Sequence, residues 1–120
     1  MGWIQSQVAF AGTHLYSREE HYAGGIAIDP QDTDTLYLSS EVDPQSGQPN
    51  LTGRYQIFHA TRSQVSWNFL QLTFDASQDN IRPVISRNHD FDTVALWLQG
   101  RYTNYEDYKT RVVGVIEKAD

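Results

Sequence analysis

The sequence has 120 residues, of which 39% are hydrophobic and 12% aromatic, so it supports one domain with a modest core and is too apolar for a disordered chain. Fifteen acidic and nine basic residues give a formal net charge of −6, which argues against a nucleic-acid partner because phosphate binding needs a basic surface. Cysteine is absent, which excludes disulfides and thiolate chemistry.

β-forming residues dominate along the whole chain, and no helix-period stripe interrupts them. The turns carry Asp and Pro, as in Asp29-Pro30, because proline presets φ and Asp side chains cap backbone donors. Two longer polar segments, 43–53 and 101–108, are interpreted as loops. The pattern predicts an all-β fold with strands at about 3–10, 23–28, 35–40, 54–61, 66–73, 81–86, 93–99 and 110–117.

Two segments of the chain, 21–40 and 79–98, are built alike, with a polar lead, a strand, an Asp-bearing turn and a second strand. Successive blades of a β-propeller begin in this way. We therefore predict a single domain over 1–120 with about two antiparallel four-stranded blades, the first over about 23–73 and the second over about 81–117. The strand at 3–10 serves as an edge or completes a blade. Two blades leave exposed sheet edges, which we expect oligomerisation to complete.

Five motifs in consecutive order resemble the BNR-repeat β-propeller family, which includes sialidase-like and ulvan-lyase-like proteins. The resemblance covers the C-terminal two-blade portion of such a protein, whereas a whole propeller has about four to eight blades. Residues 61–67 correspond to the family's Asp-box hairpin and keep Ser63 and Trp67 but lack its Asp and Gly. The resemblance implies a polysaccharide or sialoglycan ligand, bound where polar segments meet on one face. The five motifs are 21–32, 41–47, 55–58, 79–83 and 95–108.

Three residues are candidates for catalysis: His21, Tyr22 and Arg82. A proline follows Arg82 and predicts an extended backbone there. A guanidinium can donate two parallel hydrogen bonds to the carboxylate of an acidic sugar. The alternative is an ion pair between Arg82 and Asp79 or Glu41 that joins two loops. His21 and Tyr22 are candidates for an acid–base pair. Their alternative is structural, with Tyr22 packed and His21 bonded to a loop carbonyl.

Six further residues are candidates for ligand contacts. Tyrosine rings stack on the apolar faces of sugars, although for Tyr108 we favour a role in locking the loop. Glu41 and Asp43 are two apart and would point the same way in a strand, as a carboxylate pair for glycoside hydrolysis requires. The turn residues that follow favour a solvated turn instead. The six candidates are Glu41, Asp43, Asn80, Arg101, Tyr102 and Tyr105.

The sequence and the resemblance together predict a carbohydrate-binding module that self-associates and binds an acidic glycan. The alternative is part of an active polysaccharide lyase or glycoside hydrolase whose pocket other blades or copies complete, so the sequence leaves enzymatic activity open. The four histidines lack metal-ligand spacing, and we expect neither a metal nor another cofactor. No apolar run approaches the ~20 residues of a membrane span, so no membrane partner is expected. No signal-peptide pattern begins the sequence, which leaves the compartment open.

Overall fold

Seven β-strands form the regular structure of the computed structural model, which describes residues 2–11, 25–86, 92–104 and 106–118. All strand pairs are antiparallel, and these four ranges contain no helix and hence none that could cross a membrane. The all-β prediction is confirmed for them. The strands are β1 (Ile26–Asp29), β2 (Asp32–Ser40), β3 (Gln56–Ser63), β4 (Ser66–Gln71), β5 (Asp79–Ile85), β6 (Thr93–Asn104) and β7 (Asp107–Glu117).

The first four strands form one sheet in chain order, β1-β2-β3-β4. The β1–β2 turn is capped by Asp29, whose Oδ1 accepts a hydrogen bond from the backbone N–H of Gln31 at 2.9 Å. A tight turn at Gln64 and Val65 joins β3 to β4, with Gln64 at a φ of 57°. The four strands predicted for the first unit therefore pair as one sheet.

The last three strands form a second sheet in the order β5-β6-β7. β6 and β7 are 12 and 11 residues long and make an extended hairpin. β5 pairs with β6 from Asp79↔Gly100 to Ile85↔Ala95, and its register shifts between Ile81 and Val84. Such a bulge bends the strand and redirects a side chain. Arg82 and Pro83 are the two residues at this irregularity.

The main core lies between the facing sides of the two sheets. Tyr37 and Ile57 of the first sheet pack against Ala95 and Trp97 of the second, and all four side chains are buried. Because strand side chains alternate in direction, Ala95 and Trp97, two residues apart on β6, both enter this layer. Burial of a large apolar side chain contributes about 1.5–3 kcal/mol. Apolar contact is therefore the main force that holds the two sheets together.

A buried polar network also joins the sheets, and Asn80 is at its centre with no exposed surface. The Asn80 side-chain amide donates to Asp75 Oδ2 at 2.9 Å, and its Oδ1 accepts from Trp97 Nε1 at 2.9 Å and Gln99 Nε2 at 3.0 Å. Its backbone N–H donates to the carbonyl of Tyr55 at 2.9 Å. Buried polar groups cost stability unless they are paired, and these pairings fix the position of one sheet against the other.

The strand predicted over residues 3–10 does not form, because residues 2–11 contain no strand. Consecutive residues Val8 and Ala9 both pack on the outer face of the first sheet, which a paired strand with alternating side chains would prevent. The segment is held there by Phe10, whose N–H donates to the carbonyl of Pro44 at 2.8 Å. Side-chain packing, rather than a ladder of hydrogen bonds, positions the segment.

The outer face of the second sheet remains apolar and exposed. Val84, Leu96, Val112 and Ile116 are between 40% and 65% exposed. The register pairs Val84 with Leu96 and places Leu96 opposite Gly114, so these side chains share one surface. We call these four residues the outer patch.

Candidate functional site

The structure describes six of the nine predicted site residues. His21, Tyr22 and Tyr105 lie outside the described residues, so the proposed acid–base pair stays a prediction. The other six are distributed over the β2–β3 connection, the start of β5 and the β6–β7 hairpin: Glu41, Asp43, Asn80, Arg82, Arg101 and Tyr102.

Arg82 has a left-handed backbone, with a φ of 58°, and the prediction of an extended conformation is wrong. The proline that follows favours an extended backbone at Arg82. The bulge, an irregular stretch between two paired positions of β5, overrides this preference. Gly25 packs against this point so closely that a Cβ there would lie 3.3 Å from the Arg82 Cα. A left-handed non-glycine residue costs about 1–3 kcal/mol, and such strain is concentrated at functional sites.

The Arg82 side chain is exposed and contacts a buried tyrosine. Its Nη2 donates to the hydroxyl of Tyr102 at 3.3 Å, and its Cζ lies 5.6 Å from the centre of the Tyr102 ring. Tyr108 stacks on the same ring, with centroids 6.0 Å apart. Tyr102 is 4% exposed and Tyr108 is 57% exposed. We call Arg82, Tyr102 and Tyr108 the Arg82 cluster; its solvent-facing parts are a guanidinium and a tyrosine ring.

Tyr102 was predicted to contact a ligand, but its burial gives it a supporting position beneath the two exposed side chains. Tyr108, by contrast, is exposed. The register pairs Tyr102 directly with Tyr108 across the hairpin. The sequence was interpreted as a loop over 101–108, and that interpretation hid the cross-strand pairing. The sequence analysis names Tyr102 as a ligand contact and favours a loop-locking role for Tyr108, whereas the structure buries Tyr102 and exposes Tyr108.

Tyr55 connects the Arg82 cluster to the first sheet. Its side chain packs with Ile81 and Tyr102, and all three are buried. Burial, followed by the negative charges of Glu41 and Asp79, raises the pKa of Tyr55 above its ordinary value. Glu41 is half-buried, and its charge therefore acts on the inner side of the cluster. Two of the predicted polar segments thus meet around one buried tyrosine.

Asp79 joins the sheets at this end of the molecule. Its Oδ1 accepts from the backbone N–H of Tyr55 at 3.1 Å, and its Oδ2 lies 3.5 Å from Nη1 of Arg54. Asn80, the next residue, is fully buried and all of its polar atoms are engaged in the core network. A ligand has no surface of Asn80 to reach, so we leave it out of the site.

Asp43 is exposed and caps its own turn. Its Oδ1 accepts from the backbone N–H groups of Gln45 and Ser46, both at 2.8 Å. The Ser46 backbone hydrogen bond is the main reason that the pKa of Asp43 lies below its ordinary value. These bonds favour the solvated-turn interpretation over a catalytic pair with Glu41.

Arg101 is exposed and forms an ion pair with Asp107, with Nη1 and Oδ1 2.9 Å apart. Successive strand residues face opposite ways, so Arg101 and Tyr102 lie on opposite sides of the β6–β7 hairpin. The structure therefore separates Arg101 from the Arg82 cluster. The expectation that the polar segments share one face holds for Arg82 and Tyr102, and Arg101 belongs to a different surface.

The chain matches no protein-family model, no curated protein and no solved structure. The resemblance to BNR-repeat propellers therefore stays a prediction. Within the described ranges, no group of three or more His, Asp or Glu side chains is placed to hold a metal ion.

Proposed function

We propose that this chain is a carbohydrate-binding module derived from a sialidase-like propeller and that its ligand is an acidic glycan. The Arg82 cluster carries the proposal. A guanidinium donates two parallel hydrogen bonds to a sugar carboxylate, and the exposed Tyr108 ring offers a face for stacking against the sugar ring. The cluster combines both groups on one buried support, Tyr102.

The backbone strain at Arg82 supports a role in binding. The left-handed conformation costs about 1–3 kcal/mol, and strain of this kind is concentrated at functional sites. The bulge directs this side chain away from the strand pairing and over the Tyr102 ring. A fixed guanidinium loses less conformational entropy when it binds a carboxylate.

We propose in addition that the module associates with further copies of itself. The core already packs a face of the first sheet on a face of the second. The outer patch offers an apolar face of the same kind, and exposed apolar patches commonly mark interfaces. Repetition of this sheet-on-sheet packing between copies would build a blade-like ring or array.

The enzymatic alternative, a lyase or hydrolase fragment, depends on residues that the structure does not describe or that have another role. His21 and Tyr22 lie outside the described ranges. Asp43 uses its carboxylate to cap a turn, which removes it from the two-carboxylate arrangement that glycoside hydrolysis requires. The binding module is therefore the function that the geometry supports best.

Glycan titration of two substitutions tests the Arg82 cluster. A uronic-acid tetrasaccharide and its carboxyl-reduced neutral form are titrated by calorimetry. We expect Arg82→Gln to weaken binding of the acidic form about tenfold, as the loss of a charged hydrogen bond predicts, and to leave the neutral form nearly unchanged. Tyr108→Ala should weaken both forms about fivefold because it removes a stacking face, whereas Tyr108→Phe should retain binding.

Arg62→Gln is the matched control for the arginine substitution. Arg62 is also exposed and also lies over an aromatic ring, with its Cζ 5.9 Å from the centre of the Trp67 ring. It is on the β3–β4 hairpin, where we propose no binding. If Arg62→Gln and Arg82→Gln have the same effect on the acidic glycan, the Arg82 cluster is not the site.

A further inference from the structure

A second surface lies on the other side of the β6–β7 hairpin from the Arg82 cluster. It is a groove of about 410 Å³ between the hairpin and the segment that joins β4 to β5. Arg101, Lys109 and Arg111 line it on the hairpin side, and Ser77 and Gln78 line it on the other. We call these five residues the basic groove.

The basic groove concentrates positive charge in an acidic chain. Three of the nine basic residues line it, and none of its lining residues is a carboxylate. The register places Lys109 directly opposite Arg101, with Arg111 two residues further along the same face. Like charges directly opposite each other destabilise a strand pair. Asp107 offsets the charge of Arg101 through their ion pair, and a bound anion would offset the rest.

Arg111 is fixed in position by the core network. Its Nε and Nη2 donate to Gln99 Oε1 at 3.1 and 2.8 Å. The amide nitrogen of the same Gln99 donates to Asp75 Oδ2 at 3.1 Å and to Asn80 Oδ1 at 3.0 Å. The Asp75 carboxylate lies behind Gln99 and accepts hydrogen bonds there. A guanidinium held in this way is preorganised, which lowers the entropy cost of binding an anion.

Neutral donors complete the groove. Ser77 carries a hydroxyl group and Gln78 carries an amide, and both line the same space beside the Thr110 backbone. Gly100 keeps the hairpin backbone close to the groove floor, because its φ of 152° and its packing on Lys109 and Thr110 leave no room for a side chain. Hydroxyl and amide donors beside cations suit an oxyanion that carries sugar hydroxyls nearby.

We propose that the basic groove binds an anionic substituent of a glycan, a carboxylate or a sulfate ester, at a second point separate from the Arg82 cluster. The glycan as ligand rests on the proposed function, whereas anion binding by the groove does not. Two contact points on opposite sides of one hairpin suit an extended polyanionic chain rather than a single sugar. Linked contacts raise overall affinity by making the second contact intramolecular.

The test compares Lys109→Gln with Lys118→Gln, two substitutions of the same type on or next to β7. Lys118 is exposed and pairs with Asp92, away from the groove. The probes are inorganic sulfate, a sulfated oligosaccharide without carboxylates, and a uronic-acid oligosaccharide without sulfate. NMR follows the backbone amide signals of Ser77, Thr110 and Arg82. We expect sulfate to shift Ser77 and Thr110, and Lys109→Gln to weaken oligosaccharide binding about tenfold. Lys118→Gln should change it less than twofold.

The outcomes separate the two proposals. If an oligosaccharide binds the wild type and the two lysine variants bind it equally, the basic groove is overturned and the Arg82 cluster stands. If sulfate shifts the groove signals while no oligosaccharide binds, anion binding stands and the glycan function fails. If sulfate leaves Ser77 and Thr110 unmoved, the groove fails as an anion site. The sulfated and uronic probes show which substituent is preferred. Both lysines are exposed, so the variants should fold like the wild type.

Discussion

At the scale of single residues, Arg82 combines a strained backbone with an exposed cationic side chain. The strain can be measured by comparing two substitutions that remove the same side-chain contacts. We expect Arg82→Gly to have a free energy of unfolding about 1 kcal/mol higher than Arg82→Ala, because glycine adopts a φ of 58° without penalty. Urea unfolding of the two variants, monitored by tryptophan fluorescence, gives the difference.

The comparison isolates the backbone because both variants lose the contact with Tyr102. In an ordinary strand position the order would reverse, since glycine is about 0.5–1 kcal/mol less favourable than alanine there. A variant pair with alanine equal to or more stable than glycine would show that Arg82 is not strained. The argument from strain to binding would then lose its basis, and the Arg82 cluster would rest on its side-chain geometry alone.

At the scale of elements, the β6–β7 hairpin carries both proposed surfaces, and Gly100 decides how closely its strands approach. A Cβ at Gly100 would collide with the backbone carbonyl of Lys109 and lie 2.9 Å from the Cα of Thr110. Backbone atoms cannot move aside as a flexible side chain does. We expect Gly100→Ala to lower the free energy of unfolding by about 3 kcal/mol or more, from overpacking together with an unfavourable φ. Urea denaturation measures the loss.

Gly53→Ala separates the steric effect from the conformational one. Gly53 has a φ of 67°, and a Cβ there would meet nothing within 4 Å. Its substitution should therefore cost only the left-handed penalty, about 1–2 kcal/mol. Equal losses at the two glycines would mean that the hairpin yields at Gly100, and that the basic groove is less rigid than its packing indicates.

The elements show how far the sequence predicts the fold. Seven predicted strands correspond to β1–β7, because runs of β-forming residues bounded by turns indicate which segments can pair. Residues 3–10 have a similar composition and give a false strand, since composition indicates a capacity to pair and not the presence of a partner. Residues 101–108 are polar and were therefore interpreted as a loop. The pairing of Tyr102 with Tyr108 shows that the β6–β7 hairpin continues into this polar part.

The candidate site was less predictable than the strands. The sequence indicates Arg82 as a candidate site residue but not its backbone conformation. That conformation depends on the bulge, and a bulge is set by the register between strands. Asn80 has the polarity of a ligand-binding residue, yet its hydrogen bonds go to residues distant in sequence, such as Trp97. The sequence does not single out Lys109 and Arg111, because only the register places them opposite Arg101 and Gln99.

At the scale of the whole molecule, two sheets share one core and leave the outer patch uncovered. The patch contains four apolar side chains of the second sheet, each at least 40% exposed. The Leu96 side chain covers Gly114, where a Cβ would be only 2.5 Å from the Leu96 Cδ2. Burial of the outer patch against another copy would stabilise the complex by roughly 25 cal/mol for each Å² of apolar surface removed from water.

We therefore expect the wild-type chain to self-associate, with a mass in analytical ultracentrifugation that increases with concentration. Val112→Lys should shift this equilibrium toward the monomer, because a lysine in an apolar interface would leave a charge buried without a partner. Val65→Lys is the matched control. Val65 is 97% exposed but lies in the β3–β4 turn, away from the outer patch. Its variant should associate as the wild type does.

If the wild type remains monomeric at every concentration, no copy covers the outer patch. Glycan binding by the Arg82 cluster would then have to occur within a single chain, and the affinity gained from linked copies would be absent.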